Sequence, residues 1–324
     1  MEYEALLSEL ERLLKETYAL WEPGWVTFNW RGYTFDHVQR VRGLALNICR
    51  QEGGDARIVE LAALLHDITK PYDGDYIVDE EGNRVVDERG YWRNRTHQPV
   101  RHNVVTDLYD DLHLMGKPHN ESGAVVANHL LRRRGLKAST CERVAQTIRQ
   151  HLLPPPDLPI EGRCLCDADT IDANIGLPAF VRNIYIHLHF HDLRKAPEEP
   201  SVDTLLAKSP SEYLEPYIIE NLPRWVMGKR RDFVPRLQTD TAREIALARL
   251  ERLEGVFQEL EREARILPSD EDHQYLEIVL HYMHHRQDPS IAEETESLAN
   301  SWPAPRAEGR KLIRWLQREM KGIE

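Results

Sequence analysis

A histidine and an aspartate, His66 and Asp67, stand side by side at the end of an amphipathic segment. The apolar residues before them recur at spacings of three, four and seven, which predicts the buried face of a helix. These residues are Ile58, Leu61, Ala62 and Leu65. A buried carboxylate without a partner costs roughly several kcal/mol. A divalent cation removes that cost, and imidazole with carboxylate is a ligand set suited to Zn, Mn or Fe. The pair therefore indicates a buried metal site.

Other histidines and aspartates stand on segments that can bring them to the same pocket. His37 lies one helical turn before Val41, and His151 follows Val144 and Ile148 on one predicted helix face. For any single histidine, a hydrogen-bonded core or capping residue is the simpler interpretation. The adjacent pair, with ordered partners before and after it, favours a metal site between helices. The candidate ligands are His37, His66, Asp67, His119, His151 and Asp169.

Most of the chain has the apolar periodicity of helices, which predicts an all-α protein. Asp55 is placed to cap the helix that leads to His66. The alternating segment that holds His187, His189 and His191 reads as a helix, so His187 and His191 share a face and His189 points away. We interpret these residues as lying outside the metal site, and His281, His284 and His285 as surface or packing residues. Helices are predicted near residues 2–20, 36–51, 55–67, 122–134, 139–151, 239–264, 269–286 and 306–321.

The helical periodicity disappears between about residues 71 and 117. Tyr76–Val78 and Arg84–Val86 flank a turn containing Gly82 and Asn83, which predicts a small hairpin. A loop of this length is either a lid or binding segment, or a surface insertion without a role in chemistry. Basic residues of the insertion can form a rim for an anionic substrate. They are Arg93, Arg95, His97, Arg101, His102 and Lys117.

Composition restricts the classes of partner. The 324 residues include 42 Lys and Arg against 54 Asp and Glu, a net charge of −12, which argues against non-specific binding to nucleic acid or anionic membranes. No apolar run approaches the ~20 residues of a membrane span, and the first residues lack a signal-peptide pattern. Four cysteines are too few for a disulfide framework, and we interpret Cys164 and Cys166 as core residues rather than metal ligands. We therefore expect a cytoplasmic protein with reduced thiols.

The order of the candidate ligands, H…HD…D, resembles the signature of the HD superfamily of metal-dependent phosphohydrolases. His37 supplies the first element, His66 and Asp67 the second, and Asp169 the last. The similarity extends over roughly residues 25–195. The segments that match are Asp36–Val41, Ala62–Lys70 and Asp167–Ala173. Thr69 stands where many members of the family have glycine. The stretch between Asp67 and His119 is longer than usual, and this length leaves the lid, and hence the substrate, undetermined.

The resemblance implies an all-α, HD-domain-like helical bundle. Residues 1–200 would form the metal-binding catalytic domain, with a small β-hairpin and loop insertion at about 71–118. Residues 201–324 would form a helical C-terminal extension packed on that domain.

The resemblance also implies roles for individual residues. His37, His66, Asp67 and Asp169 would hold a first metal ion. With a second ion, Asp67 would bridge, and His119 and His151 would complete the shell, as in two-metal members of the family. Asp169 fits the family pattern better than Asp167, which can instead orient a histidine. The cofactor would be one or two divalent ions, with Mn, Fe, Zn, Mg, Ni and Co not distinguished. The residues expected to act in catalysis are Asp67, Lys70 and His119.

Lys70 has two interpretations: a point charge that contacts a phosphate, or a cation at the end of a helix. The expected activity is cleavage of a phosphoester, in a nucleotide or another small phosphorylated compound, by metal-activated water. Two alternatives remain open at this point. One is a di-iron oxygenase of the same fold, and the other is a non-catalytic, metal-stabilised regulatory or binding module. The sequence predicts no membrane partner and leaves homo-oligomers open.

Overall fold

The computed structural model describes residues 2–22, 30–81, 83–208, 221–265 and 273–323. Helices make up most of these residues, which confirms the predicted all-α class. The chain divides into two compact units between Asp169 and Thr170. The predicted boundary at residue 200 stays a prediction. Within the described ranges, no helix combines the length and the apolar composition that a bilayer crossing requires.

The first unit contains most of the helices that carry the candidate ligands. Helix α3 (Ala56–Leu65) packs against α2 (Arg31–Glu52) and α6 (Ala138–Arg149), and α5 (His119–Arg133) packs against α6. A 3-10 turn, Lys70–Asp73, follows α3. The α-helices are α1 (Tyr3–Tyr18), α2 (Arg31–Glu52), α3 (Ala56–Leu65), α4 (Val104–Asp111), α5 (His119–Arg133), α6 (Ala138–Arg149) and α7 (Ile160–Asn174), the last of which crosses into the second unit.

Helix α3 forms where the sequence predicts it. The Asp55 carboxylate accepts hydrogen bonds from the backbone N–H groups of Arg57 and Ile58, at 3.2 and 3.4 Å, and so caps the first turn. The predicted apolar face is buried throughout the helix. His66 and Asp67 follow directly after Leu65, so the apolar face delivers both side chains into the interior.

The insertion contains a short antiparallel sheet. Strand β1 (Asp75–Tyr76) pairs with β2 (Asn94–Arg95). The predicted hairpin is present as a bridge between Val78 and Arg84, although Gly82 of its turn lies outside the described residues. The prediction of no helix in this stretch was wrong, because α4 forms there. Asn103 caps α4 in a reciprocal capping box with Thr106.

The second unit is helical in its described parts. The segment with His187 and His191 is a helix, as predicted. The four cysteines of the chain lie in the first unit, where they are buried and free. A second 3-10 turn is Val234–Arg236. The remaining helices are α8 (Leu177–Arg194), α9 (Val202–Lys208), α10 (Leu222–Asp232), α11 (Asp240–Ala264), α12 (Gln274–His284), α13 (Ile291–Ser301) and α14 (Ala307–Met320).

Candidate metal centre

The six predicted ligands lie on or beside five different helices of the first unit. His37 lies within α2, His119 begins α5 and Asp169 lies within α7. The pair His66–Asp67 follows α3, and His151 follows α6. All of them are buried except Asp169, whose side chain is 19% exposed. Asp169 therefore marks the side of the cluster that solvent reaches.

Asp67 stands at the centre of the cluster, and its two oxygens face different histidines. Its Oδ2 lies 3.5 Å from the Nε2 atoms of both His37 and His66. Its Oδ1 lies 3.3 Å from Nε2 of His119. Two groups of potential ligand atoms result, His37 with His66 and Asp67, and Asp67 with His119 and His151, and the atoms of each group lie within 4.8 Å of one another. The geometry would allow two adjacent cations to share one carboxylate.

Asp169 extends the first of these groups. Its Oδ1 lies 3.1 Å from Nε2 of His37 and 3.9 Å from Nε2 of His66. Metal–nitrogen bonds of about 2.0–2.1 Å place neighbouring ligand atoms about 3.0–3.4 Å apart. The separations in the cluster are close to this range. Small adjustments of the side chains would bring all of these atoms to a cation.

Three of the histidines are held in place through Nδ1, while their Nε2 atoms face the cluster. Nδ1 of His66 lies 2.7 Å from the carbonyl oxygen of Ala63, and Nδ1 of His151 lies 2.7 Å from that of Ile148. Because a carbonyl oxygen only accepts, each Nδ1 carries the proton and each Nε2 keeps its lone pair. Nδ1 of His119 lies 2.5 Å from Oδ2 of Asp73. Histidines oriented in this way are typical of metal ligands.

The buried polar atoms of the cluster fit a metal ion. Nε2 of His66, His119 and His151 and Oδ1 of Asp67 are buried and accept no hydrogen bond from any described residue. Buried acceptors without a donor are costly to the folded state. Divalent cations would satisfy these atoms, and nitrogen with carboxylate oxygen is a donor set that Zn, Mn and Fe accept. The residues present therefore fit one or two such ions.

The protonation states also suit metal binding. Burial lowers the pKa of His66, and it lowers the pKa of His151 to about 3, so both imidazoles are neutral at neutral pH. Burial alone would raise the pKa of Asp67, but His66, Lys70 and His119 outweigh it and lower that pKa well below its usual value. A neutral histidine and an ionised carboxylate are the states that coordinate a metal.

His119 differs from the other histidines of the cluster. Burial would lower its pKa, but the carboxylates of Asp73 and Asp67 outweigh burial and raise it. A cation that binds Nε2 of His119 must therefore displace a proton more often than one that binds His66 or His151.

The structure shows partners of the cluster that sequence reasoning missed. Asp73 orients His119, and the hydroxyl of Tyr18 donates to the backbone oxygen of Asp67 at 3.0 Å. Oγ1 of Thr69 donates to the carbonyl oxygen of His119 at 3.2 Å. The threonine, at a position where many members of the family have glycine, therefore connects the turn after α3 to α5. A Cβ on Gly123 would lie 3.1 Å from the carbonyl oxygen of His66, which explains the small residue there. The sequence offered one signal for Asp73, which is its position six residues after Asp67.

The other predicted site residues lie as follows. Nζ of Lys70 is 2.6 Å from Oδ2 of Asp67, so Lys70 contacts the cluster directly. Asp167 is buried. In the proposed basic rim, His97 pairs with Asp75, and His102 lies beside Asp107 and Asp110. Arg101 donates to the carbonyl oxygen of Ala19. The exposed members of the rim are Arg93, Arg95, Arg101, His102 and Lys117.

The insertion reaches the helix that carries His119. The amide of Asn120 donates to the hydroxyl of Tyr91 at 3.2 Å, and Nη1 of Arg89 lies 2.6 Å from Oε1 of Glu121. These contacts hold the turn at residues 87–91 against the first turn of α5.

We expect Asp73→Asn to weaken metal binding at the group that contains His119. The amide cannot accept the His119 Nδ1–H as strongly as a carboxylate does, so the ring loses part of its orientation. Substitutions of this kind cost about 10–100-fold in metal affinity. Calorimetric titration of the metal-free protein measures the loss, with Asp79→Asn, an exposed carboxylate of the insertion, as the control. Equal affinities in the two variants would contradict the role of Asp73.

Comparison with known proteins gives one family match. The model of the HD domain matches residues 34–174. No curated protein matches the chain. Among solved structures, a predicted HD superfamily hydrolase from an uncultured Thermotogales bacterium is similar at 21% identity, with 81% of this chain and 99% of that chain covered and a TM-score of 0.45. The Lin1889 protein of Listeria innocua shares 17% identity, with 82% and 99% covered and a TM-score of 0.43.

Proposed function

Because residues 34–174 form an HD domain, we propose that the chain is a metal-dependent phosphohydrolase that cleaves a phosphoester of a nucleotide or another small phosphorylated compound. One observation carries the proposal. The two oxygens of Asp67 face different histidines, and the histidine Nε2 atoms beside them are oriented as metal ligands. A carboxylate shared by two cations is an arrangement suited to the displacement of a phosphate group.

The charge of the cluster supports an anionic substrate. Asp67, Asp73 and Asp169 are acidic and Lys70 is the cation among them, so the cluster without metal carries negative charge. When bound, divalent ions lower the pKa of a water molecule and neutralise phosphate oxygens. With two such ions the same pocket is positive, which favours a phosphate over a neutral compound. The partial exposure of Asp169 gives the side from which a substrate enters.

Residues of the chain position the reacting groups. Asp73 holds the ring of His119, and the carbonyl oxygens of Ala63 and Ile148 hold those of His66 and His151. Fixed ligands of this kind keep the site in the geometry that it needs before the substrate arrives. The turn at residues 87–91 lies against α5 beside His119, which suits a lid that selects the substrate.

Lys70 is expected to compete with metal and to assist the substrate. Its ammonium occupies Oδ2 of Asp67, the oxygen that also faces His37 and His66. A cation held at this position would displace the ammonium, and Lys70 would then be able to contact the phosphate as a point charge.

Lys70→Met should therefore bind metal at least as tightly as the wild type. It should turn over phosphoesters more slowly, by about 10-fold or more, because one hydrogen bond to a charged group is worth about 1.5–3 kcal/mol. Calorimetry gives the affinity and steady-state kinetics give the turnover. Weaker metal binding with unchanged turnover would contradict both roles.

The experiment that tests the proposed function starts from the metal-free protein. Reconstitution with Mn, Zn, Mg, Co, Ni or ferrous iron is followed by assays on nucleoside mono-, di- and triphosphates, cyclic nucleotides and sugar phosphates. We expect one metal to restore the release of phosphate or of a phosphorylated product, and Asp67→Asn to lower that release more than about 100-fold. Oxygen consumption by the iron form without hydrolysis would favour the di-iron oxygenase. Metal binding without either reaction would favour the non-catalytic module, and both outcomes contradict the proposal.

A further inference from the structure

A second group of histidines lies at the end of α12, in the second unit. His281 lies in the last turn of the helix, and His285 is the first residue after it. The two rings stack, with centroids 4.3 Å apart and 27° between their planes. Glu294, near the start of α13, faces both rings. Sequence reasoning interpreted these histidines as surface or packing residues.

The distances bring three potential ligand residues together. Nε2 of His281 lies 2.7 Å from Oε2 of Glu294, and Nδ1 of His285 lies 3.9 Å from the same oxygen. One potential ligand atom from each residue lies within 4.8 Å of the other two. Nδ1 of His285 also lies 2.8 Å from the carbonyl oxygen of His281, so Nδ1 carries the proton and Nε2 keeps its lone pair.

The surroundings favour a cation. Oε2 of Glu294 lies against Nε2 of His281 and near the stacked ring of His285, so one carboxylate faces two imidazoles. Helix α12 ends here, and the carbonyl groups at a helix C-terminus give that end a partial negative charge. The side chains of His281 and Glu294 are 21% and 23% exposed, and that of His285 is 50% exposed, so an ion reaches them from solvent.

We propose that His281, His285 and Glu294 form a further metal site, which binds a divalent transition ion of the zinc class and connects the end of α12 to α13. Two histidines one helical turn apart with one carboxylate are a ligand set of zinc sites, and a fourth position remains for water. Mg²⁺ and Ca²⁺ prefer oxygen ligands and should not bind here. The site shares no residue with the HD cluster, by which we mean His37, His66, Asp67, His119, His151 and Asp169, so it does not depend on the proposed hydrolase activity.

The test counts zinc ions on the full-length chain. Equilibrium dialysis with elemental analysis compares the wild type with His285→Gln, Glu294→Gln and His284→Gln. His284 is the matched control, because it is exposed on the same helix turn but lies outside the group. We expect His285→Gln and Glu294→Gln to bind one zinc ion fewer than the wild type, or to bind it at least tenfold more weakly, and His284→Gln to match the wild type. Ions held by the HD cluster cancel in this comparison.

Copper gives an independent measurement. Cu²⁺ added to the wild type should show hyperfine coupling to two nitrogen atoms from this site, in the difference spectrum against His285→Gln. Circular dichroism confirms that each variant is folded, and His285 tolerates substitution because it is half-exposed. Equal zinc counts in all four proteins would overturn the proposal. The same loss in His284→Gln as in His285→Gln would overturn the assigned ligands.

Discussion

Asp67→Asn is expected to release metal from both halves of the HD cluster and to lower hydrolysis more than about 100-fold. Substitution of a residue that only orients a ligand costs about 10–100-fold in affinity, and Asp67 is the shared ligand itself. Its two oxygens face His37 and His66 on one side and His119 on the other. An amide keeps the size of the side chain but loses the negative charge and one acceptor. A single substitution should therefore affect two ions.

Elemental analysis after dialysis, with the phosphoester assay, measures this effect. Asp75→Asn is the matched control, because Asp75 is half-exposed and pairs with His97 rather than with the cluster. The control should keep the metal content and activity of the wild type. Retention of one ion by Asp67→Asn with wild-type affinity would show that Asp67 is not shared.

Glu319→Ala should lower the free energy of unfolding of the second unit by about 3–5 kcal/mol, the usual cost of removing one partner of a buried ion pair. Glu319 lies on α14 and is fully buried, as is Arg249 on α11. Oε2 of Glu319 lies 3.9 Å from Nη1 of Arg249 and accepts the backbone N–H of Leu177 at 2.7 Å. Oε1 pairs with Arg252. The carboxylate thus links α14 to α11 and to the first turn of α8.

Urea denaturation of the metal-free protein measures this change. Glu308→Ala, on the same helix, is the control. The side chain of Glu308 is 57% exposed and pairs with Lys311 at 3.5 Å, so its loss should cost less than about 1 kcal/mol. Similar losses in the two variants would mean that the buried carboxylate contributes no more than a surface one.

The burial of His66 and Asp67 could be predicted because they follow a strongly periodic helix. Asp55 caps α3, the buried face of α3 sets its orientation, and His66 and Asp67 follow at its end. Each of these features depends on local sequence. His151 was placed by the same argument, from the apolar face of α6.

The remaining features depend on contacts between distant segments. Asp73 lies in a 3-10 turn without a helical period, and only the fold brings it to His119, 46 residues later. Helix α4 was missed because it has eight residues and because Thr106 stands where a capping box usually has Glu or Gln. The bond from Tyr18 to the backbone of Asp67 joins segments that no local pattern relates. The sequence alone did not predict contacts of this kind, because they form only when distant segments pack together.

The shared carboxylate is the central feature of the account, and anomalous diffraction from crystals grown with Mn²⁺ tests it most directly. We predict two peaks about 3.5–4 Å apart, the spacing of two-metal sites. One should lie among His37, His66 and Asp169, and the other between His119 and His151, with one oxygen of Asp67 bound to each. A single peak, or peaks that Asp67 does not connect, would contradict the two-cation site.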